Sequence, residues 1–201
     1  MSELGTFVQL GFRHVVDVEA MDHILFLLAL AAMYRLRDAR SAVAVITAFT
    51  IAHSMTLALA VTKLVRLPSS LIEFVIPVTI IVTGLENLVA SDERKRARRG
   101  WYRPFIAGVF GLIHGAGFAN YLSELFVEHI AVPLVGFNIG IELGQVVVLA
   151  VAACLLAAMD SAITRLRLRS EAWPAYRVRV AAVSTIVVAV AALWAVERAP
   201  W

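Results

Sequence analysis

The residues able to do chemistry in this chain are a few histidines, carboxylates and amides set in apolar sequence. Asp22 and His23 stand beside each other, and with Glu19 they share one helical face. His53 lies in Phe-Thr-Ile-Ala-His-Ser-Met-Thr-Leu and His114 in Gly-Leu-Ile-His-Gly-Ala-Gly-Phe-Ala. Asn138, Glu142 and Gln145 follow the i, i+4, i+7 spacing of one polar stripe. Imidazole and carboxylate together suit Ni, Co, Zn, Cu or Fe, and a divalent cation would neutralise carboxylates taken out of water. Cys154 is the single cysteine, so neither a disulfide nor a thiolate metal site is expected, and it reads as a small buried hydrophobe.

The elements that must position these groups are membrane spans. Hydrophobic residues make up 61% of the 201 residues and charged residues only 16%, with a mean hydropathy of +0.83. This composition excludes an ordinary soluble enzyme, a disordered chain and a nucleic-acid-binding module. Six apolar spans are expected, from Ala20 to Tyr34, Ser41 to Leu64, Leu71 to Ala90, Pro104 to Ser123, Val132 to Met159 and Val178 to Val196. The segment before the first (Phe7, Leu10, Gly11, Phe12, Val15) reads either as an interfacial helix or as an early turn of that span. The expected fold is an all-α polytopic membrane helix bundle forming one integral domain, 1–201. No long internal repeat is evident, and Met-Ser-Glu-Leu-Gly lacks the basic start of a secretory signal.

The loops after the first, third and fifth spans hold 14 of the 18 Lys and Arg residues; only Arg13, Lys63, Arg66 and Arg198 fall elsewhere. The positive-inside rule puts those three loops in the cytoplasm and both termini outside, as for a bacterial-type inner (cytoplasmic) membrane protein. The run from Arg94 to Arg99 reads as an anchoring loop rather than a phosphoinositide patch.

Charge at the bilayer centre costs about 2.5–3.5 kcal/mol, so these residues should face the bundle interior. His53 and His114 fall near mid-depth. Each could be a neutral histidine bonded to a neighbour, but two at similar depth beside Asp22, His23 and Glu142 favour a metal site. Asn138 and Gln145 read as supports rather than ligands. Glu86 and Asn87 would cap or pair near the inner end of the third span. Glu73 and His129 read as outer-edge and loop residues. The Gly136/Gly140/Gly144 ridge should pack on one side of the fifth span while Glu142 faces a polar centre, and Gly111 with Gly115 forms a second small ridge. The sixth span reads as a packing helix whose Glu197 and Arg198 simply reach the interface.

Taken in order, Gly-Phe-Arg-His14, Asp22-His23-Ile-Leu-Phe-Leu-Leu, the His53 segment, Glu86-Asn87-Leu, the His114 segment and Phe-Asn138-Ile-Gly-Ile-Glu142-Leu-Gly-Gln145 resemble the HupE/UreJ family of hydrogenase/urease accessory membrane proteins. The resemblance runs from about Gly11 to Gln145. It implies a nickel or cobalt permease tied to nickel-enzyme maturation, with Asp22, His23, His53, His114 and Glu142 handling the metal. One departure concerns His14, which stands two residues farther from Asp22 than in the family's opening motif. On a continuous helix that turns it by about 200°, so His14 joins Glu86, Asn87, Asn138 and Gln145 as a weaker candidate.

Four functions compete on these residues. A permease would hold Ni, Co or Zn reversibly in a mixed nitrogen/oxygen site. A membrane-embedded metal-dependent hydrolase would use His53, His114 and Asp22 or His23 as ligands and Glu142 as general base on a lipid or lipoprotein substrate. A b-type haem protein would use His53 and His114 as axial ligands. In a structural subunit the polar residues would only join helices. The expected partners are a metal ion and membrane lipid, with an oligomer or a nickel-enzyme maturation partner as further candidates and no nucleic acid.

Overall fold

The computed structural model describes residues 2–17, 21–34, 38–62, 64, 68–89, 100–125, 131–171 and 173–201, with the backbone alone at 39, 61 and 118–125. Among them run seven α-helices and no strand: α1 (Glu3–Val16), α2 (Met21–Met33), α3 (Ala39–Val61), α4 (Ser69–Val89), α5 (Tyr102–Leu125), α6 (Ala131–Arg165) and α7 (Ala175–Glu197). Glu19, His129 and the run from Arg94 to Arg99 lie outside the described residues.

Among the described residues, four helices are long and apolar enough to cross a membrane: Arg40–Ala60 within α3, then α4, α6 and α7. The chain is therefore an all-helical protein with apolar spanning helices. The other two expected spans fall outside these four. α5 has the length, with 24 residues, and only its backbone is described from 118 to 125. α2 has only 13 residues, about 20 Å at 1.5 Å per residue, short of a hydrocarbon core of about 30 Å.

The segment ahead of α2 is a helix of its own. Ser2 accepts from the Gly5 N–H at 3.3 Å, and Glu3 sits in the first turn, where an acidic side chain suits the helix dipole. Asp17 turns the backbone out into an extended conformation (φ −66°, ψ 129°) and ends the helix. α1 lies along the first part of α6 in the same direction. Leu4 meets Gly136, Val8 meets Gly140 and Val15 meets Gly144. At Gly140 a Cβ would overlap the Val8 carbonyl oxygen, so only glycine lets these two backbones approach so closely.

The remaining contacts set the other directions. Gly111 and Gly115 of α5 meet the backbones of Phe49 and His53 on α3, so α3 and α5 run parallel. Gly84 of α4 meets Ser184 and Val188 of α7, and Phe74 stacks with Trp201, so α4 and α7 run antiparallel. α2 runs antiparallel to α7, with Asp22 near Arg198 at one end and Met33 near Tyr176 at the other.

α1 and α2 thus run in the same direction at successive depths. α1 packs beside Phe137 and Ile141 of α6, while α2 shares its core with Ala152 and Leu156 farther along the same helix. The two half-length helices follow one another along α6. α2 is apolar nearly all round, with eight of its 13 residues buried, as suits a helix enclosed by others.

Its C-terminal end is buried as well, and its last carbonyls need partners. Tyr176 Oη donates to Met33 O at 2.8 Å. Arg179 Nη2 donates to Ala32 O at 3.3 Å and to Tyr34 O at 3.4 Å, while its Nη1 pairs with Asp160 at 2.7 Å. Asn87 Nδ2 donates to Ala29 O at 2.7 Å. Arg179, counted by sequence among the loop charges, is 3% exposed and closes a helix end instead.

Two expectations about α6 are corrected. Cys154 is exposed rather than buried, because the core-facing arc of this helix runs through Ala152 and Leu156. Glu142 is exposed too, beside Ile139, Leu143 and Val146. The glycine ridge does pack, but α1 occupies it, and the opposite face is the outer surface rather than a polar centre.

Candidate metal centre

The helix break sets His14, near the end of α1, beside His23, in the first turn of α2, with ring centres 4.5 Å apart. His53 comes from α3, at 6.2 Å from His14 and 6.0 Å from His23. His114 comes from α5, at 5.6 Å from His23. Four imidazoles from four helices therefore share one layer. His23, His53 and His114 are 8%, 0% and 2% exposed. Phe26, Phe49 and Phe137 wall the layer, with Phe49 at 5.2 Å from His114 and 5.9 Å from His53, and Phe137 at 5.5 Å from His14.

The rotation argument against His14 assumed a continuous helix. The break at Asp17 removes that assumption.

Three of these imidazoles lack partners that buried polar groups normally have. Among the described residues, both ring nitrogens of His23, both of His53 and Nδ1 of His114 are buried without a hydrogen bond. An unsatisfied buried donor or acceptor costs about 1–3 kcal/mol. Two imidazoles on one tetrahedral ion, with metal–nitrogen bonds of about 2.0–2.1 Å, have ring centres about 5 Å apart. The observed spacing brackets that value. Even so, among the described residues no group of three or more His, Cys, Asp or Glu side chains is arranged to hold an ion as it stands. The donors suit a divalent transition metal in type, but as placed they do not form a coordination sphere.

The expected carboxylates stand elsewhere. Asp22 accepts from Arg198 Nη1 through both oxygens, at 3.0 and 3.1 Å. Arg198 therefore does more than reach the interface: it neutralises the carboxylate next to His23. Two hydrogen bonds fix the level of Glu142. Thr50 donates to Gln145 Oε1 at 2.9 Å, and Ser54 bonds Asn138. Thr50 and Ser54 flank His53, so Glu142 lies at the depth of His53 but on the exposed side of α6. Asn138 and Gln145 clamp α3 to α6 on either side of His53, a supporting role.

Glu86 and Asn87 sit near the C-terminal end of α4. Arg103 donates to Asn87 Oδ1 at 3.0 Å and lies 3.8 Å from Glu86. A small pocket lined by Phe26, Thr83, Glu86, Arg103 and Phe110 separates this group from the histidine layer. Glu73 is exposed on α4.

Sequence reasoning missed Thr79, whose Oγ1 lies 3.1 Å from His114 Nε2. A threonine in an apolar span gives little signal, although Thr79 and Thr83, one turn apart, marked a polar stripe on α4. It also missed the pairing of Arg198 and Arg103, because basic residues near span ends were assigned to topology.

Apolar spanning helices enclosing a layer of buried imidazoles define an integral membrane protein with a polar interior site. The chain belongs to the HupE/UreJ family: the family described as "HupE / UreJ protein" matches residues 1–198. No curated protein and no solved structure matches the chain.

Proposed function

We propose that this protein is a divalent transition-metal permease of the nickel/cobalt type, carrying its ion through an intramembrane site built from His23, His53 and His114, with His14 adjoining. The observation that carries the reading is the set of five buried ring nitrogens on His23, His53 and His114 that have no hydrogen-bond partner. A purely structural histidine would be bonded. Ni²⁺, Co²⁺ and Zn²⁺ all suit imidazole, and the ligands alone do not rank them. Asp22, held by Arg198, is the carboxylate nearest to the layer in sequence and the natural first contact for an arriving cation. Glu142 belongs to this reading only through its depth.

Transport requires binding that is favourable yet reversible. Donors that are near one another but form no finished coordination sphere suit an ion in transit better than a tightly stored one. In this reading α1 and α2 together make one of six crossings, both termini lie outside, and the membrane is a bacterial-type inner membrane. The ion leaves past Phe26 toward the Arg103–Glu86 group, where a nickel-enzyme maturation partner would receive it. The hydrolase alternative needs Glu142 as base, and an exposed Glu142 gives it no support.

The test is flux into proteoliposomes loaded with a metal-sensing dye. Wild-type protein should admit Ni²⁺, Co²⁺ or Zn²⁺, and His53→Ala should abolish the signal. If none of the three ions shows flux that depends on the histidines, the permease reading fails.

A further inference from the structure

We infer that Thr79 is a positioning residue for His114, fixing the tautomer so that Nδ1 is the atom offered to a metal ion; this rests on the metal-site reading above. Thr79 Oγ1 lies 2.7 Å from the Ile76 carbonyl oxygen and 3.1 Å from His114 Nε2. A hydroxyl has one proton and two lone pairs. A carbonyl oxygen can only accept, so the proton goes to Ile76. The contact with His114 is then a hydrogen bond only if Nε2–H donates to Thr79 Oγ1.

A neutral imidazole carries one N–H, so Nδ1 of His114 is left with the lone pair. That nitrogen is buried and has no hydrogen-bond partner among the described residues. Thr83 donates its own hydroxyl to the Thr79 carbonyl oxygen at 2.9 Å, so it does not compete for Thr79 Oγ1. Phe26 and Phe49, at 5.4 and 5.2 Å, bound the ring and oppose a flip.

The opposite tautomer would change what His114 is. With the proton on Nδ1, the Thr79 hydroxyl would have to leave Ile76 to serve Nε2, and the buried Nδ1 would be a donor rather than a ligand. Thr79 therefore decides between the two. His23 and His53 have no such anchor on either ring nitrogen among the described residues. The site thus has one oriented imidazole and others left to adjust to the ion, an arrangement in which an outer hydrogen bond sets ligand geometry.

The experiment is ¹⁵N NMR of histidine-labelled, metal-free protein in detergent, for wild type, Thr79→Val and Thr79→Ser. Wild type and Thr79→Ser should show His114 protonated on Nε2, and Thr79→Val a mixture of tautomers. Co²⁺ titration is the second readout. Affinity should fall about 10–100-fold in Thr79→Val and stay near wild type in Thr79→Ser. A wild-type His114 protonated on Nδ1, or Thr79→Val binding Co²⁺ as tightly as wild type, would overturn the inference. Wild-type protein with the Nε2–H tautomer but no metal uptake would sink the permease reading and leave the Thr79 anchor standing.

Discussion

The two ends of α2 both bury polar groups, and they treat them in opposite ways. At the C-terminal end, the last carbonyls are met by Tyr176, Arg179 and Asn87, and Arg179 is neutralised by Asp160. At the N-terminal end, His23 joins His53 and His114 in a layer where five buried ring nitrogens have no partner among the described residues. Burial alone therefore does not mark a site in this molecule. The C-terminal end is completed by the side chains around it, and the histidine layer is not. Native proteins rarely leave buried polar groups unpaired, and such groups point to an unmet partner.

The comparison makes opposed predictions for stability. Arg179→Ala should cost most, because it strips a buried helix end of two hydrogen bonds and breaks the pair with Asp160. The expected loss is about 3 kcal/mol, read as a lower melting temperature in detergent. A variant as stable as wild type would mean that Arg179 does not brace the C-terminal end of α2. Tyr176→Phe removes one hydrogen bond and should cost about 1 kcal/mol. His53→Leu should cost nothing or stabilise the metal-free protein slightly, since it replaces an unpaired buried imidazole by an apolar group of comparable size. A loss of about 2 kcal/mol or more would mean that His53 is already satisfied. The smallest effect is expected at the surface: Glu142→Gln should leave metal-free stability within about 0.5 kcal/mol.

Much of the fold was legible in the sequence, because hydropathy runs and basic loops report directly on spans. The helical class, the candidate histidines and the packing role of the glycines all came from spacing. Spacing leaves the break between α1 and α2 open, since the segment ahead of α2 reads either as an interfacial helix or as an early turn of the same span. Both halves are apolar, and Asp17 ends α1 through backbone geometry that spacing does not reveal. That break moved His14 into the layer, against a rotation argument valid only for an unbroken helix. Glu142 failed for a different reason. It shares a stripe with Asn138 and Gln145, but a stripe is wide, and α1 and α3 cover only one side of it. Arg179, Arg103 and Arg198 were read as charges for topology, and their pairing depends on neighbours far away in sequence. Cys154 shows the same limit: an apolar run does not say which of its residues face outward.

The most direct test of the central claim is a thermal unfolding series in detergent, with and without Co²⁺, for wild type and His53→Leu. A ligand that binds only the folded state stabilises it by about 2.7 kcal/mol at one hundred times its dissociation constant. The wild-type melting temperature should rise with Co²⁺, while His53→Leu should start at least as high and not respond. A wild type indifferent to Ni²⁺, Co²⁺ and Zn²⁺ alike, or a His53→Leu variant that responds equally, would contradict the claim that the histidine layer is a metal site.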